Sequence, residues 1–301
     1  MTASRASASS PVPLRAVQRA IAEQFPRLAD LEVRALETDG TDNAIVAVGP
    51  EIIARIPRRP GDPAELHALL RREAAAQAEF AEISPVPAPR PLGIGTPGSG
   101  LDRPWSLQTR VPGAVATPSV LADSMRFAED LADLVAALRA AETRGRRFQG
   151  PGRGGSLTDH DDWVRECLDR SVGLLDVPLL RQVWSQLRTT AETGRVTMSH
   201  RDLIPGNLLV SRGRLAGVID TGGFAAADSA LDLIVGIHLL DQSARDAFRE
   251  RLEIDDLEWR RALAWAFEQA IGLVWYYRET VPAMSSLGRS TLERVIEEWQ
   301  R

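Results

Sequence analysis

The sequence predicts an α+β chain in two lobes, a small antiparallel β-sheet lobe followed by a larger, mainly helical one. Three observations predict it. Residues 31–56 form three short strand-like runs separated by turn residues. Beyond Gly113 the apolar positions recur at helical spacing through most of the chain. A length of 301 residues, 44% of them hydrophobic, suits two lobes more than one.

In chain order, residues 1–11 are Ser- and Ala-rich without an apolar core, and read as a flexible tail rather than a secretion signal. An amphipathic helix at 14–25 opens an N-terminal lobe expected to span 12–107. Strand-like 31–37 and 44–48 flank Thr38-Asp39-Gly40-Thr41-Asp42-Asn43, where Gly, Asp and Asn supply the backbone angles of a hairpin turn. A third strand ends at Pro57, a helix is expected over 64–82, and a proline-rich passage follows at 85–89. Gly93-Ile94-Gly95-Thr96-Pro97-Gly98 spells G-x-G-x-x-G, yet a dinucleotide fingerprint must open a helix. Pro97, Gly98, Gly100 and Pro104 prevent one, so the segment reads as a loop. Residues 105–113 alternate as a strand and break at Pro112-Gly113, which sets a hinge at 108–113. The C-terminal lobe, 114–301, is expected to hold helices at 119–143, 158–170, 178–192, 228–240, 243–251, 256–280 and 287–300.

A net charge of −5 argues against a nucleic-acid partner, whose binders carry basic patches, and suits a cationic one. The one cysteine, Cys167, has no internal disulfide partner, which fits a reducing cytoplasm, and its helical setting suits packing. The longest apolar stretch, 231–240, contains Asp232 and is too short to cross a bilayer, so no membrane partner is expected. A monomer is expected.

Chemistry concentrates where the helical run is interrupted. Residues 198–210 read M-S-H-R-D-L-I-P-G-N-L-L-V, and an apolar run then ends in Asp220-Thr221-Gly222. His200, Asp202 and Asn207 stand at the spacing of a phosphoryl-transfer catalytic loop. Such a reaction passes through a loose transition state with charge on phosphate oxygens, so the protein supplies positioning, a metal clamp and a group that orients the attacking hydroxyl. Asp202 suits the hydroxyl, while Asn207 and Asp220 offer the hard oxygens that Mg²⁺ takes. Asp-Thr-Gly also marks aspartic proteases, but these need two such carboxylates and the chain has one copy.

The chain is similar to the aminoglycoside phosphotransferase family, the antibiotic-kinase branch of the protein-kinase-like fold. That family's usual H-G-D-x-x-x-x-N is met by His200, Asp202 and Asn207, its following I-D by Asp220, and its G-D-P-x-x-D-L by Ala227-Asp228-Ser229-Ala230-Leu231-Asp232-Leu233. Arg201 departs from the usual glycine, and Thr221-Gly222 is nearer to D-F-G than to the family's I-D-W or I-D-F. The resemblance implies a cytoplasmic, ATP- or GTP-dependent and Mg²⁺-assisted kinase of a small-molecule hydroxyl, first an aminoglycoside antibiotic and alternatively a macrolide or other natural product. It implies that the turn with Gly40, Thr41, Asp42 and Asn43 closes over the nucleotide phosphates, and that Gln108, Thr109, Arg110 and Val111 lie beside the base. It makes Asp228 and Asp232 structural ties of the catalytic and metal loops. A nucleotide-binding pseudokinase scaffold is the reading of another class.

All 36 basic residues are arginine, which excludes a P-loop and leaves the usual phosphate-gripping lysine of kinase-like folds to be replaced. Arg55, in the strand ending at Pro57, is the candidate, since a guanidinium binds phosphate in a bidentate way. Glu73 on the next helix is the candidate anchor. Asp241, Glu268 and Glu279 are candidate contacts for a substrate's ammonium groups. Trp265, Gln269, Gly272 and Trp275 or Tyr276 form a stripe that reads as core, as does His238. Asp159-His160-Asp161-Asp162 reads as a helix start, where acids favour the dipole, rather than as a metal site.

Overall fold

The computed structural model describes residues 13–36, 43–150 and 152–301. They fall into two compact units, Met1–Glu82 with Pro87–Pro112 and Val218–Gly223, and Ile83–Val86 with Gly113–Gly217 and Phe224–Arg301.

The first unit is a five-stranded antiparallel sheet with two long helices. In chain order it contains α1 (Leu14–Gln24), β1 (Val33–Leu36), β2 (Asn43–Val48), β3 (Ile52–Pro57), α2 (Pro63–Ile83), β4 (Pro91–Gly95) and β5 (Trp105–Thr109), with strand order β1-β2-β3-β5-β4. The apolar stripe of α1, Ala16, Val17, Ala20 and Ile21, is buried with Val46, Val48, Ala54, Ile56, Trp105 and Leu107 of the sheet. Two glycines of the G-x-G-x-x-G segment thus lie on strand β4 rather than in the expected loop. Their reason is steric: a Cβ at Gly93 would stand 2.6 Å from the Phe25 ring, and one at Gly95 only 2.1 Å from Trp105. The two rings meet edge-on at 5.5 Å, a contact that only a strand without side chains on that face admits.

The second unit is mainly helical: β6 (Ala114–Val115), α3 (Pro118–Leu121), α4 (Met125–Ala140), α5 (Asp161–Arg170), α6 (Val177–Leu187), β7 (Val196–Ser199), β8 (Leu208–Ser211), β9 (Arg214–Val218), β10 (Ala225–Asp228), α7 (Ile234–Leu239), α8 (Gln242–Arg251), α9 (Asp256–Tyr276) and α10 (Pro282–Gln300). Helix α9 is its axis, buried along most of its length and packed on α5, α6, α7 and α10. Trp184 of α6 stacks on its Phe267 at 5.4 Å.

The helix expected over 228–240 begins only at Ile234. Asp228 instead ends a strand, 225–228, that pairs antiparallel with 196–199, Asp228 opposite Val196, and a 3-10 turn over 231–233 leads into the helix. Asp228 closes that strand in a buried hub. Its Oδ2 accepts Arg261 Nε at 2.8 Å, Arg261 Nη2 and Trp265 Nε1 at 3.0 Å.

Candidate active site

In the first unit, a cleft between β3, β5 and α2 is lined by Arg55, Glu73, Gln77, Gln108 and Gly222. Alternation along β3 aims Arg55 into it. The guanidinium donates from Nη2 to Asp220 Oδ1 at 2.7 Å, with side-chain exposures of 15% and 49%. Arg55 is thus ion-paired with Asp220, a partner that the sequence reading, which offered Glu73 as the anchor, did not name. Glu73 lies in the same cleft under Gly222, where an added Cβ would meet its side chain at 3.1 Å. Asp220 has φ of 58°, a left-handed conformation that costs an L-residue roughly 1–2 kcal/mol and recurs where a chain aims a side chain for function.

The segment expected beside a base is partly committed elsewhere. Thr109 N–H donates to Arg90 O at 2.9 Å and Arg110 N–H to Glu51 O at 2.7 Å, because β5 is an inner strand of the sheet. The Gln108 side chain is buried and accepts from Gln77 Nε2 at 2.8 Å. A base beside this strand therefore finds those two backbone donors already used, with Val111 beyond them. Gly40, Thr41 and Asp42 lie outside the described residues. Asn43 opens β2 opposite Pro57, and its carbonyl accepts Arg58 Nε at 3.2 Å.

In the second unit, β7 delivers the catalytic loop and β8 carries it away, so His200, Asp202 and Asn207 sit on one short connection. Asp232, 4% exposed, holds that loop by its backbone: its carboxylate accepts His200 N at 2.9 Å, Arg201 N at 3.2 Å and Ser199 Oγ at 2.8 Å. Arg201 has φ of 70°, the conformation that makes glycine economical at this place; its guanidinium lies 5.1 Å over the Phe148 ring. His200 is 1% exposed, and this burial favours a supporting role over proton transfer.

Asp202 has the opposite character. Its side chain is 41% exposed, yet three donors fix it. Arg153 Nη2 reaches Oδ1 at 3.0 Å, Gln269 Nε2 reaches the same oxygen at 2.9 Å, and Asn207 Nδ2 reaches the Asp202 carbonyl at 2.8 Å and Oδ2 at 3.3 Å. With its amide nitrogen turned inward, Asn207 keeps its oxygen for another partner. Arg153 and the tie from Gln269 were missed in the sequence. The only signal for Arg153 was its seat among Gly152, Gly154 and Gly155, a backbone able to approach the catalytic loop closely.

Glu268, a candidate contact for a substrate's ammonium groups, is 3% exposed: it pairs with His160 Nδ1 at 2.8 Å and lies 3.6 Å from Arg153 Nη1. Asp241 caps α8 by accepting Ala244 N at 3.0 Å. Asp161 holds Trp184 and Arg188, and Asp162 holds Arg165, so the acidic run is a helix start; among the described residues no His/Cys/Asp/Glu group forms a metal site. Cys167 is fully buried and its thiol is pushed up to about 12 by burial, consistent with packing.

Burial works against a charge on His160, but the hydrogen bond and charge of Glu268 outweigh it and raise the imidazole above its ordinary value. A raised folded-state value gives stability that is complete below the unfolded value near 6.5 and declines as pH rises through the folded one. Melting temperatures across this range should fall with pH in the wild type and stay flatter in His160→Gln. A wild-type slope in that variant would place the proton elsewhere.

The family model described as the phosphotransferase enzyme family matches residues 32–265. No curated protein matches the chain in sequence. Among solved structures, the GDP complex of a wild-type aminoglycoside 2'-phosphotransferase-IIIa aligns with a TM-score of 0.68 at 19% identity, over 95% of this chain and 99% of that one. The macrolide 2'-phosphotransferase MphH from Brachybacterium faecium, an apoenzyme, aligns at 0.63 and 20%, over 92% and 98%. A macrolide 2'-phosphotransferase of type I aligns at 0.61 and 18%, over 91% and 94%. The chain has the kinase-like fold of these proteins.

Proposed function

We propose, since the chain belongs to the phosphotransferase enzyme family and is a small-molecule kinase, that it moves the γ-phosphoryl group of ATP or GTP to a hydroxyl oriented by Asp202. The observation that carries this is a solvent-facing carboxylate held by three donors on a loop that Asp232 pins through its backbone. A carboxylate so held accepts the hydroxyl proton as the oxygen attacks phosphorus. Asn207 and Asp220 are the proposed Mg²⁺ ligands and Arg55 the proposed phosphate cation, because an amide oxygen, an exposed carboxylate and a cleft-facing guanidinium suit those partners. Bound Mg²⁺ would neutralise charge on the phosphate oxygens.

The solved relatives include aminoglycoside and macrolide phosphotransferases, and both acceptor classes are kept. An aminoglycoside needs carboxylates for its ammonium groups. Two of the three candidates are committed, Glu268 to Arg153 and His160 and Asp241 to a helix cap, so the local charge favours a macrolide or another weakly charged natural product. A screen of ADP or GDP release across aminoglycosides, macrolides and other hydroxylated natural products tests this, with Asp202→Asn as the control. Turnover of an aminoglycoside would reverse the preference. No turnover with any acceptor and either nucleotide would favour the pseudokinase scaffold.

A further inference from the structure

We infer that a buried hydrogen-bond chain running from Thr291 through His238 to Gln269 positions the Asp202 carboxylate, making His238 and Gln269 positioning residues for the transfer. The inference rests on Asp202 as the carboxylate that receives the hydroxyl proton. Three contacts within the second unit form the chain. Gln269 Nε2 stands 2.9 Å from Asp202 Oδ1, Gln269 Oε1 stands 2.8 Å from His238 Nε2, and His238 Nδ1 stands 2.8 Å from Thr291 Oγ1. The members come from α9, α7 and α10, with Thr291 and His238 at 0% exposure and Gln269 at 8%.

The direction of every bond follows from its two ends. Asp202, ion-paired with Arg153, only accepts, so the amide nitrogen of Gln269 faces it and the amide oxygen faces His238. That oxygen also only accepts, so His238 carries its proton on Nε2. The Nδ1 lone pair is then left to accept the Thr291 hydroxyl. One tautomer and one amide orientation satisfy the whole chain. Burial pushes His238 down to about 4, against the raising effect of the Gln269 bond, and the nearby Arg153 and Arg294 charges act in the same direction as burial. The ring is neutral at physiological pH, as the chain requires.

Stability alone gives little reason for such a chain. Polar side chains in a helix core gain little over well-packed apolar ones, and each becomes costly once its partner is lost. What the chain does supply is a fixed amide. Gln269 and Arg153 together occupy Oδ1, while Oδ2 has the longer 3.3 Å contact with Asn207, on a side chain that is 41% exposed. Oδ2 is the oxygen that this arrangement presents to the acceptor.

The test uses the full chain with Mg·ATP and water as the acceptor, read as phosphate release, beside ¹⁵N spectra of the histidine rings. Thr291→Val keeps the side-chain shape and removes the donor. It should lower kcat about 10-fold with KM for ATP unchanged, as expected for a slightly misaligned reacting group. Thr291→Ser should restore kcat, and Gln269→Leu should lose at least as much as Thr291→Val. The His238 ring should titrate far below the pH of the assay and show the Nε2–H tautomer, identified by its loss in His238→Gln. Wild-type kcat for folded Thr291→Val, with only its melting temperature lowered, would reduce the chain to a structural one and overturn the inference. An Nδ1–H tautomer would overturn it without any turnover measurement. Hydrolysis that survives in Asp202→Asn would instead overturn the reading of Asp202 on which it rests.

Discussion

Asp202→Asn should lower kcat by about 10²-fold or more while nucleotide affinity changes little, the loss typical of removing a general base. The substitution keeps the shape of the side chain and removes the acceptor charge. Arg153 keeps Glu268 as a neighbouring carboxylate at 3.6 Å, and Gln269 remains tied to His238. The loop is pinned by Asp232 through the backbone of His200 and Arg201, which the substitution does not touch. Fold and catalysis are therefore separable here: the melting temperature should stay near wild type while turnover collapses. Steady-state kinetics with an acceptor found by the screen, together with calorimetry of nucleotide binding, checks both halves. Turnover retained within a few-fold would remove Asp202 from the chemistry.

Arg55→Ala should lower kcat/KM for nucleotide by about 10²-fold or more, equivalent to roughly 3 kcal/mol of electrostatic stabilisation of the transferred phosphates. A competing role is visible. Arg55 pairs with Asp220, and a guanidinium that served only to neutralise that carboxylate would compete with Mg²⁺ for it. The two roles predict opposite signs. If Arg55 grips phosphate, its removal weakens binding of Mg·ATP; if it only shields Asp220, its removal strengthens it. The exposed pair itself is worth about 0–1 kcal/mol to the fold, so a small change in melting temperature is expected in either case. Arg55→Lys should recover part of the loss, since an ammonium is a point charge where a planar fork stood. Arg58→Ala and Arg59→Ala should remain near wild type. Tighter Mg·ATP binding by Arg55→Ala would assign the phosphate contact to another arginine, there being no lysine to take it.

Local patterning determined much of this protein. The period of its strands and helices set the fold class, and the spacing of His200, Asp202 and Asn207 marked the catalytic loop because one short connection between two strands fixes where its own side chains stand. The absence of lysine singled out Arg55 in the same local way. Tertiary structure decided which groups meet. Gln269 reaches Asp202 across 67 positions, Arg153 across 49, and Asp220 reaches Arg55 across 165. Helical period placed Gln269 on the buried side of α9 but gave no sign that the side chain ends on a carboxylate. Glu268, adjacent to it and one of three candidate contacts for a substrate's ammonium groups, is buried with His160 and Arg153. The helix expected from 228 starts only at Ile234, because Asp228 ends a strand that pairs with 196–199. The physical reason is common to all of these. Backbone geometry and side-chain period act over a few residues and are written in order along the chain, whereas a buried polar or charged side chain takes whichever partner the packing of distant elements brings within hydrogen-bonding reach.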